Sequence, residues 1–181
     1  MANDQHNTTR LIHWLNAALV ISLVASGIYM TNAEGYAVYP WHKSFGVIAL
    51  AVIIIRLYYR NKNRWVSSVV GQPQEKLVHA MHQVLIFCLI VMPLSGLTLS
   101  GFGGYGVDFF GITLIQNNYV DGTAVPFNET LRDLGKQVHV YIGYTFAVII
   151  SLHALAAVKH HLIDKDKTLL RMLSAKHNQN D

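Results

Sequence analysis

The sequence is short of charge. Only 13% of its 181 residues are Asp, Glu, Lys or Arg, while 52% are hydrophobic; an ordinary soluble domain carries about a quarter charged residues. That balance points to a membrane protein. Cysteine is scarcer still: Cys88 stands alone, which excludes a disulfide within one chain. There is no repeat of solenoid length and no low-complexity tract. The net charge of +4 and the isoelectric point near 9.2 largely restate an asymmetry between loops, described below, and give no reason to infer nucleic-acid binding.

What the chain has instead is four long apolar runs, Leu11–Met30, His42–Tyr59, Leu77–Ser100 and Val138–Val158. Each is near the ~20 residues needed to span the hydrocarbon as a helix. The expected fold is all-α, a four-helix transmembrane bundle forming one integral membrane domain over residues 1–181. The first run is too long for the core of a signal peptide, and only Arg10 precedes it as a fixed positive charge, so it is read as a span.

Lys and Arg set the orientation. Arg10, then Arg60, Lys62, Arg64 and Lys76, then Lys159, Lys165, Lys167, Arg171 and Lys176 fall on one side. The other side has Lys43, Arg132 and Lys136. The positive-inside rule places both termini and the 60–76 loop in the cytoplasm. The first outer loop, TNAEGYAVYPW, is short. The second, about 101–133, is long, Gly-rich at GFGGYG, and acidic: Asp108, Asp121, Glu129 and Asp133 stand against Arg132. Within it VDFFGITLI is expected to form a short interfacial helix, with Phe109 and Phe110 at headgroup level. Tyr58, Tyr59 and Trp65 read as interfacial belt residues.

Histidine is abundant, with ten in the chain. His6 and His177 sit in polar tails and read as solvated. The others lie in or beside spans, where ionisable groups are costly and are by default functional candidates. His13 opens span one near the inner surface, and His42 opens span two near the outer surface. On span four, His139 is outer and His153 inner. The fourteen residues between them leave both imidazoles within roughly 40° of one helix face, about 21 Å apart along the axis. Depth therefore pairs His42 with His139 and His13 with His153, each pair drawn from two helices, as bis-axial ligation inside a bundle requires.

Two neutral histidines holding a non-covalent haem make a b-type electron-transfer centre. The absence of a C-x-x-C-H motif excludes the usual covalent c-type attachment. Two such sites about 20 Å apart would give electrons a route across a bilayer. Hydrogen bonding between helices could account for any one of these histidines, but not easily for four matched in depth. Both outer histidines have glycine four residues on, Gly46 and Gly143, one turn away on the same face, where a missing side chain leaves room for a flat macrocycle.

Arg56 lies fourteen residues after His42, and Arg10 precedes His13 by one turn. Guanidinium groups suit carboxylates, so both are candidates for the inner haem's propionates, with snorkelling to lipid phosphate as the simpler role. Lys43 could serve the outer haem in the same way. His79 and His82, on the inner end of span three, could either replace His13 as the inner ligand. With His160 and His161 they could instead form an inner polar cluster that binds a quinone headgroup or carries its protons, His82 and His160 being the residues named for that site. An interfacial belt of histidines is the plainer alternative.

At this point a resemblance enters. IHW at 12–14, WHKSFG at 41–46, IRLYYR at 55–60, the two histidines of span four and the tail KHHLIDKDKTLLRML at 159–173 resemble the bacterial cytochrome b561 family, over about residues 8–173. The resemblance implies a four-helix bundle of the inner membrane holding two b haems. Its axial ligands, carried over by position, are His13, His42, His139 and His153. It also implies a superoxide oxidase-like activity, with superoxide as outer donor and ubiquinone as acceptor. The acidic outer loop departs from the positive field that would steer an anion.

The expected function is thus a di-haem oxidoreductase carrying electrons between an outer donor, superoxide or a periplasmic redox protein, and the quinone pool. One alternative is a membrane anchor and electron conduit for a peripheral dehydrogenase or hydrogenase. Another is a histidine-based proton or metal transporter, which would need no glycine beside its histidines.

Overall fold

The computed structural model describes residues 2–62, 74–166 and 168–173. Four helices dominate: α1 Ala2–Ala33, α2 Tyr39–Lys62, α3 Glu75–Phe102 and α4 Glu129–Leu162, with a short α5, Thr168–Leu173. Each of the four is long and apolar enough to cross a membrane. Arg64, Trp65, Lys167, Lys176 and His177 lie outside the described residues, as do the side chains of His6 and Arg171.

The helices overrun the apolar runs because polar residues continue them. The clearest case is α4, which starts at Glu129 rather than near Val138. Asn128 caps it, its side chain accepting from the amide of Leu131 at 3.0 Å, and Glu129 adds negative charge to the first turn. At 34 residues it is about 51 Å long, well beyond the ~30 Å of hydrocarbon.

Helices α3 and α4 make the most extensive contact, followed by α1 with α2. At the α3–α4 crossing sits Gly135, where an added Cβ would lie 2.7 Å from the amide nitrogen of Leu99 and 3.1 Å from the carbonyl of Ser95. Only glycine allows the two backbones to meet so closely. In mid-bundle Val20, Ile53, Cys88, Leu89 and Phe146 form one buried cluster. All four helices contribute to it, and Phe146 stands midway between His139 and His153. Outward-facing residues such as Leu11, Ile54, Leu77 and Leu155 are more than 60% exposed, which would be a liability in water and suits lipid. At the end of the bundle that the loop charges mark as inner, the indole of Trp14 donates to the carbonyl of Met172 at 2.8 Å, tying α1 to α5.

The outer segment corrects one expectation. VDFFGITLI is not a helix: β1, Val107–Phe109, pairs antiparallel with β2, Ile112–Ile115. The turn between them has Phe110 at φ 47° and Gly111 at φ 90°, the left-handed pair that matches hairpin twist. Aromatic and β-branched residues on either side favour strand over helix. A second hairpin, β3 Tyr119–Val120 with β4 Thr123–Ala124, turns at Asp121 and Gly122, both at positive φ. The first hairpin is strapped to α2. Ser44 Oγ donates to the carbonyl of Asp108 at 3.2 Å and accepts from the amide of Phe110 at 3.1 Å. The Phe110 ring packs edge-on to Trp41 and Phe45.

Candidate cofactor site

The outer site begins with two serines. Ser26 on α1 and Ser95 on α3 each donate a hydroxyl hydrogen to the carbonyl three residues back, Leu23 and Met92, at 2.9 Å. Each oxygen is then left as an acceptor. Ser26 Oγ lies 2.9 Å from Nδ1 of His42, and Ser95 Oγ lies 3.1 Å from Nδ1 of His139. His139 Nδ1 is also 3.0 Å from the carbonyl of Met92, which can only accept. The Met92 carbonyl thereby assigns His139 the Nδ1–H tautomer with its Nε2 lone pair free, and His42 takes the same form when Ser26 keeps its hydrogen on the Leu23 carbonyl.

The two ring centroids lie 6.2 Å apart with the ring planes at 85°. A metal–imidazole bond of about 2.0 Å and a distance of roughly 1.1 Å from nitrogen to ring centre would put two opposed axial imidazoles at about 6.2 Å. The pair fits iron ligation in distance, in tautomer and in its second hydrogen bond, which metal-ligating histidines nearly always make. A cleft beside the rings is lined by Gly27, Thr31, His42, Met92, His139 and Gly143. Gly143 thus lines the cleft as sequence spacing expects, whereas Gly46 lies outside that lining and a Cβ there would meet nothing within 4 Å.

At the inner level, Arg56, His82 and His153 all lie within electrostatic range of His13. The rings of His82 and His153 are 5.5 Å apart, and His82 Nδ1 donates to the carbonyl of Val78, its own helix one turn back, at 2.8 Å. Three histidines therefore converge where two ligands are required. Depth in the sequence pairs His153 with His13, and the structure brings His82 against His153 as well. Arg10 is only 6% exposed, and its Nε and Nη2 have no hydrogen-bond partner among the described residues; neither does His13 Nδ1 or the Oδ1 of buried Asn16. An uncompensated guanidinium is expensive to bury, and a carboxylate-bearing ligand would satisfy it. The inner cluster therefore fits a haem with its propionates.

The remaining sequence candidates fall elsewhere. Lys43 donates to the carbonyls of Tyr105 and Gly106 at 3.3 and 2.9 Å, holding the outer loop. His160 sits two turns beyond His153, with Nδ1 2.9 Å from carboxylate oxygens of both Asp164 and Asp166. It lies about 10 Å further along the axis than His153, which His82 accompanies, so the two residues named for a quinone or proton site have different settings. His79 lies within 3.3 Å of Gln83 on its own helix. Sequence spacing overlooked Ser26, Gly27, Ser95, Gly96 and Asn16. A partial signal was present: the dipeptide Ser-Gly occurs towards the outer ends of two spans at 26–27 and 95–96, and once more at 100–101.

Comparison with known proteins adds family context. The sequence profile described as prokaryotic cytochrome b561 matches residues 4–175. The chain is 29% identical to "Cytochrome b561 homolog 2" of Escherichia coli (strain K12), covering 89% of this chain and 86% of that protein. It is 30% identical to "Probable superoxide oxidase CybB" of Yersinia pestis, covering 91% and 93%. To "Cytochrome b561 homolog 1" of Escherichia coli (strain K12) it is 28% identical, covering 94% and 97%.

Proposed function

The chain belongs to the prokaryotic cytochrome b561 family, and from that premise we propose that it is a di-haem oxidoreductase linking a periplasmic electron donor to the membrane quinone pool. Membership makes it a multi-pass protein of the bacterial inner membrane, built around b-type haem and concerned with electron transport. The finer reading assigns His42 and His139 to an outer haem, and His153 with His13 to an inner one. Arg10 and Arg56 would take the inner propionates, and N-in/C-in topology follows from the loop charges.

The observation that carries this reading is the outer pair, two imidazoles from α2 and α4 with 6.2 Å between ring centres and both Nδ1 atoms engaged. Bound there, a b haem supplies reversible one-electron chemistry at iron. The protein's part is to fix both rings, hold the Nδ1 protons and keep water out with the apolar cluster around Phe146. Superoxide is the donor favoured by the likeness to a probable superoxide oxidase, and ubiquinone is the acceptor.

The test is to supply the purified protein with superoxide and ubiquinone and to follow the reduced α-band and the quinone together. Quinone reduction dependent on superoxide is expected. A band that stays oxidised under superoxide but reduces with dithionite would exclude superoxide and favour a periplasmic redox protein. Absence of any b-type α-band would remove the haem reading altogether.

A further inference from the structure

Ser26 and Ser95 belong to different helices and are far apart in sequence, yet they do the same thing. Each has the carbonyl three residues back at 2.9 Å to take its own hydrogen, which leaves the hydroxyl oxygen as an acceptor. In that arrangement each accepts from an imidazole Nδ1–H, at 2.9 Å for His42 and 3.1 Å for His139. The residue after each serine is a glycine lying against the same ring. A Cβ at Gly27 would stand 3.6 Å from His42 Cε1, and one at Gly96 would stand 3.0 Å from His139 Cε1. Each Ser-Gly dipeptide thus supplies an acceptor for Nδ1 and a flat surface beside Cε1. Among the described residues the inner histidines have no such partner: His82 uses its own helix, and His13 Nδ1 has none.

We propose that Ser26 and Ser95 are positioning residues that set the electronic character of the outer haem through its axial imidazoles. This rests on the reading of His42 and His139 as ligands. An acceptor on Nδ1–H raises the basicity of the opposite nitrogen and fixes the ring's rotation. Greater basicity stabilises ferric over ferrous iron, so the serines hold the outer potential down by the hydrogen-bonding route that proteins use on haem. The two positions are not equal. Among the described residues Ser26 is the one partner of His42 Nδ1, whereas His139 keeps the Met92 carbonyl when Ser95 is lost. Removing Ser26 therefore has the larger effect.

The experiment is a spectroelectrochemical titration of the purified holoprotein and of Ser26→Ala, Ser95→Ala and Ser26→Thr. Haem content is measured first by pyridine haemochrome, and ferric EPR spectra are taken alongside. In Ser26→Ala one of two waves shifts upward and the other stays. Ser95→Ala shifts the same wave by less, and Ser26→Thr, which keeps the hydroxyl, returns it towards wild type. Loss of one haem in Ser26→Ala but not in Ser26→Thr supports the same role. Two haems with unmoved waves and unchanged EPR in both alanine variants overturn it. So does a larger shift from Ser95→Ala, or equal damage from alanine and threonine at position 26. A wild-type protein without two b haems would instead sink the underlying ligand assignment, a result visible before any variant is made.

Discussion

A methyl group added at Gly96 would sit 3.0 Å from Cε1 of His139, whereas one added at Gly27 would rest 3.6 Å from Cε1 of His42. The first forces the imidazole to move and the second is an ordinary contact. Gly96→Ala should therefore lower occupancy of one haem or broaden its α-band, at a cost of about 1–3 kcal/mol for overpacking. Gly27→Ala should leave the spectrum close to wild type. At the inner level, His153→Ala should remove one haem and leave the outer one spectrally intact, measured by haem-to-protein ratio. If neither haem is lost, His153 is not an axial ligand. The approach of His42 to His139 was legible in the sequence because depth and helical register are one-dimensional properties. The convergence of His82 on His153 was not, since His79 and His82 share nearly one depth and only the rotation of α3 decides between them. Ser26 and Ser95 escaped notice because serine in a span has no preferred reading until its partner is known.

Helix boundaries and the outer hairpin belong to the next scale. The four long helices were legible from apolar length, but that measure misses polar extensions such as the Asn128-capped start of α4. VDFFGITLI was misread because a short apolar stretch has no decisive period. Its outcome rests on positive φ at Phe110 and Gly111 and on the two hydrogen bonds to Ser44. Ser44→Ala removes both of those bonds, so the hairpin should become susceptible to limited proteolysis in proteoliposomes while the helices remain protected. At the α3–α4 crossing, Gly135→Leu would drive a side chain into the backbone of Leu99 and Ser95. Overpacking of roughly 1–3 kcal/mol corresponds to a fall in Tm of about 2–12 °C for a chain of this size. Thermal unfolding in detergent would measure it.

Across the whole molecule, the charge pattern predicts that both termini are cytoplasmic. Fluorescent-protein and alkaline-phosphatase fusions at the C-terminus and within 116–127 should report opposite sides: fluorescence without phosphatase activity at the terminus, and the reverse in the loop. The opposite result would invert the membrane and with it the identity of the outer donor. The architecture separates two polar levels by one apolar layer, Val20, Ile53, Cys88, Leu89 and Phe146. That layer was visible in the sequence only as hydrophobicity, because the choice of inward residues depends on how four helices rotate together.

The tie between Trp14 and Met172 spans 158 residues, and it bears on the order in which the protein is made. The first helix enters the membrane long before the chain that will hold its inner end exists. Both proposed ligand pairs likewise wait on α4, since His42 needs His139 and His13 needs His153. At about 5–20 residues per second, the early partner of each pair stands alone for on the order of ten seconds. Cofactor loading is thus a closing step of biogenesis, and a nascent chain stalled before residue 139 would hold no complete ligand pair.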